Sequence, residues 1–108
     1  EVGAIVQELK DVAVDYQVAV VLLCQLNRGV EAQADKRPNL SHLRDSGEIE
    51  QIADVIMFIY RDDYYSRNTD KPQTGITELL VEKNRQGKIG VMKLKFQEGT
   101  NRFVDYIA

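Results

Sequence analysis

Residues 24–60 read CQLNRGVEAQADKRPNLSHLRDSGEIEQIADVIMFIY, and this stretch decides the fold. It begins at the end of one apolar run, Val18 to Cys24 (VAVVLLC), and closes on another, Val55 to Tyr60 (VIMFIY), with a polar insert between them. The first run is β-branched at its start and apolar at successive positions, the pattern of a strand covered on both faces by helices in a parallel sheet. About thirty residues separate the two runs, enough for the crossover that parallel strands require and a poor fit to a hairpin. The expected fold class is therefore α/β, with mostly parallel central strands. Within the insert Pro38 ends an extended stretch, Ser41 can cap a short turn, and Ser46-Gly47 can open a helix carrying Glu48, Ile49, Glu50 and Gln51. Acidic residues in its first turn suit the helix dipole.

On the N-terminal side, Val2, Ile5, Val6, Leu9, Val12 and Ala13 recur at helical spacing, which predicts an amphipathic helix of about three or four turns. On the C-terminal side, Arg61 to Gly75 is polar, with Asn68, Asp70, Pro72 and Gly75 as turn formers, and reads as an exposed loop. Ile76 to Lys83 and Val91 to Phe96 flank a glycine-bearing turn and predict an antiparallel hairpin. In its second strand Met92, Leu94 and Phe96 alternate with Lys93 and Lys95, giving one buried and one wet face. Gly99 marks another turn before a last short strand over Arg102 to Ile107.

The 108 residues are 44% hydrophobic and 29% charged, an ordinary composition for one domain or a piece of one. The chain opens on Glu1 directly into a helical pattern, which suggests a segment of a longer protein. A net charge of −3 argues against a domain that coats nucleic acid nonspecifically, because that work needs many phosphate-neutralising Lys and Arg. Any nucleic-acid contact must be local. The lone cysteine, Cys24, sits in an apolar run and reads as a buried thiol in a reducing compartment. No apolar run approaches the ~18 residues of a membrane span.

Five groups of residues are candidates for chemistry. Gln25 follows a strand candidate, and ligands in open α/β sheets bind at the carboxyl ends of strands. By position alone such an amide more often caps backbone than senses a phosphate. Arg44-Asp45-Ser46-Gly47 stands at a helix start, where unpaired N–H groups and a glycine could receive a phosphate. Lys83 and Arg85, two apart at a strand end, project from one face and could reach a neighbouring subunit's phosphate, although exposed cations at a hairpin end are common. His42, the only histidine, has no cluster at metal-ligand spacing and reads as a surface or capping residue. Tyr64 and Tyr65 could stack on bases, but such a pair more often packs locally. No G-x-x-x-x-G-K-[ST] phosphate loop is present, so these residues do not make a self-sufficient nucleotide hydrolase.

The segments QLNRGVE, ADKRP, LSHLRDSGEIEQIADVIMFIYRDDYY, TDKP and EKNRQGKIGVMKLKF together strongly resemble the C-terminal part of the bacterial replicative DNA helicase, the DnaB family. The resemblance runs in order over nearly the whole chain. It implies a partial RecA-like P-loop ATPase fold, working as a homohexameric ring around single-stranded DNA, with ATP and Mg2+ bound between subunits. By resemblance Gln25 falls on the glutamine that links the γ-phosphate site to the DNA side. Arg28, Arg44, Asp45 and Gly47 match positions in loops that line the channel and grip the DNA backbone. Lys83 and Arg85 match the lysine and arginine finger offered in trans to the neighbour's ATP. The phosphate loop and Mg2+-binding strand of the family would precede Glu1, so residues 1–108 are expected to be a C-terminal fragment of the motor domain, inactive alone. Primase and a helicase loader are the implied partners, and the cytoplasm, at the replication fork, the implied location.

The family usually reads L-S-D-L-R-E-S-G-S-I-E-Q-D-A-D, whereas here His42, Asp45, Glu48 and Ile52 replace Asp, Glu, Ser and Asp. Asp45 keeps its charge and Gly47 is intact, while Glu48 adds negative charge beside the expected DNA path. Asn84 and Gln86 depart from the usual Lys-Gln-Arg-Asn-Gly, but the two cations keep their spacing. Two other readings compete: a non-catalytic single-strand-binding or subunit-assembly module, and a RecA-like recombinase, which the Arg-Asp-Ser-Gly and Lys-x-Arg elements fit less well.

Overall fold

A computed structural model describes residues 2–43, 46–66 and 69–107, with the backbone alone at 28 and 46. Among these residues three α-helices, α1 (Val2–Tyr16), α2 (Ser46–Ile52) and α3 (Asp62–Ser66), accompany four strands, β1 (Val55–Tyr60), β2 (Ile76–Asn84), β3 (Gly90–Gln97) and β4 (Arg102–Asp105). The strands lie in the order β1-β2-β3-β4 and every pair is antiparallel. No helix among the described residues is long and apolar enough to cross a membrane.

The hairpin of β2 and β3 and the last strand form where the alternation and turn residues place them. Leu79 pairs with Met92 and Phe96 with Phe103, whose rings lie 4.9 Å apart. The burial of β3 is weaker than its pattern suggests: Leu94 and Phe96 are half-buried and Met92 is exposed.

The expected parallel pairing of the two apolar runs is not found among the described residues. Val18 to Cys24 forms no strand, and its side chains are open, Val21 at 83% and Leu23 at 89% exposure. A run of this composition becomes a strand only with a ladder beside it and cover on both faces, and no described strand runs along it. Cys24 is accordingly exposed, not buried. The second run, β1, finds its partner in β2 and is covered on one face alone. Ile56, Phe58 and Tyr60 are buried while Val55, Met57 and Ile59 face out.

The covered face of β1 receives the polar insert, which makes the core. Val6 from α1, Leu43, Ile49 from α2, and Leu80 pack with Ile56, Phe58 and Tyr60. α1 ends where Gln17 takes a left-handed conformation (φ 52°) and the Val18 N–H reaches back to the Ala13 carbonyl at 3.1 Å. That bond spans the interval of a Schellman closure.

The segment from Arg61 to Gly75 is more than an exposed loop. It opens with α3, whose Asp63 is buried, and the Asp63 carboxylate accepts the N–H groups of Thr74 (2.8 Å) and Gly75 (2.7 Å) and the Thr74 hydroxyl (3.2 Å). One side chain thus ties the base of the loop shut, where Gly75 supplies the positive φ of 73°.

Candidate functional site

The turn that follows β2 closes with the Gly87 N–H on the Asn84 carbonyl at 3.2 Å, leaving Arg85 and Gln86 at its two central positions. The Arg85 backbone N–H donates to the Asp54 carbonyl at 2.9 Å, extending the β1–β2 ladder by one bond. From there the guanidinium turns back along α2: Nη1 donates to Asp54 Oδ1 at 2.7 Å and Nη2 to the Gln51 carbonyl at 3.0 Å. Lys83 follows the same course, its Nζ donating to the Glu50 carbonyl. The two cations share a face as their spacing predicts, but they do not stand straight out from a hairpin tip. They are drawn onto the C-terminal carbonyls of a helix, where the dipole favours positive charge.

Asp54 also joins α1 to this group. Lys10 Nζ donates to both carboxylate oxygens, at 2.7 and 2.6 Å. That bond, with Arg85 and Lys83 close by, holds the Asp54 carboxyl below the usual carboxylate range. Lys10, Lys83 and Arg85 thus surround one carboxylate, and the cluster keeps a surplus of positive charge.

The residues expected to face DNA begin at the other end of α2. Gly47 lies in its first turn, exposed, and a Cβ built there would meet nothing within 4 Å. No packing within the described residues therefore demands a glycine at this position. Arg44 and Asp45 lie outside the described residues, and Arg28 is described by its backbone alone, at the start of a 3-10 turn, Arg28–Ala32. Gln25 is exposed, in a segment that the Leu26–Leu43 bridge and the Asn27 N–H to His42 carbonyl bond (2.8 Å) hold against the chain leading into residues 44–45.

His42 is what keeps that segment in shape. It is buried, not at the surface, and its capping role is real. Its Nδ1 accepts the Asn39 N–H at 2.9 Å while its Nε2 lies 3.1 Å from Gln33 Oε1. Asn39, not Ser41, caps the turn Leu40–His42, with its side-chain oxygen on the Ser41 N–H at 2.9 Å. A second anchor is Arg37, whose guanidinium binds Glu78 of β2 through two bonds and lies 4.8 Å from the centre of the Tyr60 ring. Glu78 is held below the usual carboxylate range by Arg37, and burial together with the Tyr60 hydroxyl's bond to Asp62 pushes Tyr60 up to about 12. Tyr65 stacks on Tyr60 at 6.0 Å and meets Tyr64 edge-on at 5.1 Å, so the tyrosine pair is engaged in local packing.

Sequence reasoning missed Asp54, Lys10, and the Arg37–Glu78 pair. Asp54 carried a signal in hindsight, an acid placed directly between a helix and an apolar strand. The other contacts join residues more than forty positions apart and left no local pattern.

A family model described as the DnaB-like helicase C terminal domain matches residues 1–105. The chain belongs to that family. Among similar proteins, the replicative DNA helicase DnaC of Bacillus subtilis is 47% identical over 105 residues, covering 97% of this chain and 23% of that protein. The replicative DNA helicase DnaB of Geobacillus stearothermophilus is 45% identical over 105 residues, with the same two shares. Of solved structures, a DnaB-like replicative helicase, described with its interactions with primase, matches with a TM-score of 0.87 and 42% identity, over 97% of this chain and 25% of that one. A second solved structure, described as an ATPase domain, matches equally well over 36% of its length. The four-stranded antiparallel sheet and its helices are thus part of a DnaB-like ATPase domain, and the chain spans about a quarter of the curated relatives it matches.

Lys83 and Arg85 suit an anionic phosphate, which a guanidinium binds through paired N–H donors. The Mg2+ implied by the family resemblance is not matched in the same way. No group of three His, Cys, Asp or Glu that could hold a metal ion occurs among the described residues.

Proposed function

We propose that this chain is part of an ATP-dependent, homohexameric replicative DNA helicase that translocates on single-stranded DNA and unwinds the duplex. Its own contribution is twofold: loops that face the DNA channel, and a lysine and arginine finger given in trans to the neighbouring subunit's ATP. The observation that carries this reading is the cation cluster at the C-terminal end of α2, in a chain of this family. Two of the five N–H donors of Arg85 are engaged there. The other three have no protein partner among the described residues and are available to an incoming phosphate.

In this role Arg85 stabilises charge developing on the transferred phosphoryl group, which is the work of an arginine finger, and Lys83 adds a second positive charge beside it. Gln25, directly after the apolar run 18–24, relays the state of the γ-phosphate toward the insert. Arg28, Arg44, Asp45 and Gly47 hold the DNA backbone, and among the described residues nothing crowds Gly47 where a phosphate would approach. ATP and Mg2+ are bound mostly by groups outside these 108 residues. The exposed apolar run 18–24, and the outer face of β1 with its edge that is unpaired among the described residues, support a mostly parallel central sheet completed by strands elsewhere in the domain. Primase and a helicase loader are the partners, in the bacterial cytoplasm at the replication fork.

The exposed apolar residues of 18–23 and β1 also favour a second reading, a subunit-assembly or single-strand-binding module without chemistry. The two separate on turnover. In the full-length ring, Arg85→Ala should reduce ATP hydrolysis by about 10³-fold or more and leave ring assembly intact. Near-normal turnover would leave the non-catalytic reading standing.

A further inference from the structure

We propose that Asp54 is the positioning residue for the trans cation pair, orienting the Arg85 guanidinium before a phosphate arrives. The inference rests on reading Arg85 as the finger. A finger on a mobile turn must find one geometry among many, and a misplacement of about 1 Å can cost roughly 100-fold in rate. Here Arg85 is held at three points by two residues, Gln51 and Asp54. The Asp54 carbonyl takes the Arg85 N–H, the Asp54 carboxylate takes Nη1, and the Gln51 carbonyl takes Nη2. Two anchors on different terminal nitrogens fix the plane of the guanidinium, because the group is rigid.

The carboxylate is itself held. Lys10, from α1, bridges both of its oxygens, so Oδ1 serves Lys10 and Arg85 together. Lys83 is fixed in parallel on the Glu50 carbonyl. One carboxylate among three cations orients the finger without cancelling its charge.

Support of the fold does not account for this arrangement. The side chains of Asp54 and Arg85 are 56% and 45% exposed, and ion pairs as open as these contribute little to stability. What the contacts do determine is direction. They leave the remaining Arg85 donors presented from one plane.

The test uses full-length hexameric helicase with Asp54→Asn, nearly isosteric, and Asp54→Ala. Both should assemble as rings and lower kcat for ATP hydrolysis roughly 10- to 100-fold with KM for ATP unchanged, since the neighbour binds the nucleotide. Asp54→Glu, which keeps the charge, should recover part of the loss. Asp54→Ala combined with Arg85→Ala should be no slower than Arg85→Ala alone. Normal kcat in both Asp54 variants beside an inactive Arg85→Ala would overturn the positioning role and spare the finger. So would losses that multiply in the double variant, or a raised KM with kcat intact. Normal turnover in Arg85→Ala would remove the finger reading itself and Asp54's role with it.

Discussion

Arg37 and Glu78, 41 residues apart, meet through two parallel bonds, Nε to Oε1 at 2.9 Å and Nη2 to Oε2 at 2.7 Å. The pair fastens the polar insert to the second strand of the sheet, with the Tyr60 ring beneath the guanidinium. Lysine cannot reproduce the paired geometry or the planar stack. Arg37→Lys should loosen residues 27–43 by about 1 kcal/mol, seen as faster amide hydrogen exchange there in the full-length protein. Unchanged protection would show that the insert is held by its apolar contacts alone.

Asp63 makes a pH prediction. Burial by itself would raise its carboxyl, but the N–H groups of Thr74 and Gly75 and the Thr74 hydroxyl outweigh that and lower it. A carboxyl lowered on folding stabilises the closed loop above its unfolded value of about 3.9, and that contribution fades as pH falls through the lower folded value. Protection of the Thr74 and Gly75 amides should therefore persist from neutral pH down to about 4 and disappear below it. Asp63→Asn should expose them at neutral pH, at a cost of about 1–3 kcal/mol. Loss of protection between pH 5 and 7 in the unaltered chain contradicts the assignment.

Gln17 holds a left-handed conformation that glycine adopts at less cost. Gln17→Gly should tighten the C-terminal turn of α1 by up to about 1 kcal/mol, and Gln17→Val should fray it. Amide exchange at Val18, whose N–H closes that turn on Ala13, reads both directions. Slower exchange in the valine variant would refute the closure.

The hairpin, α1 and α2 were legible because each depends on local chemistry: alternation in 91–96, helical spacing in 2–13, and Ser46-Gly47 at a helix start. The topology of the two apolar runs was not. VAVVLLC and VIMFIY have the composition of strands covered on both faces, yet composition names no partner. β1 pairs with β2 through a register that skips Glu82 at a bulge, a choice made by tertiary packing. The cation pair at 83 and 85 was visible by spacing and resemblance, whereas the contacts that aim it come from Lys10, Glu50, Gln51 and Asp54, all far from 83 and 85 along the chain.

If Arg85 acts on a neighbouring subunit's ATP, rings mixed from full-length Arg85→Ala subunits and subunits whose own phosphate loop is disabled will show it. Each variant alone should be nearly inactive. Mixing them should restore Mg2+-dependent ATP hydrolysis wherever an intact phosphate loop faces an intact Arg85 across the interface. Mixed rings that form but recover no turnover would contradict a finger supplied in trans.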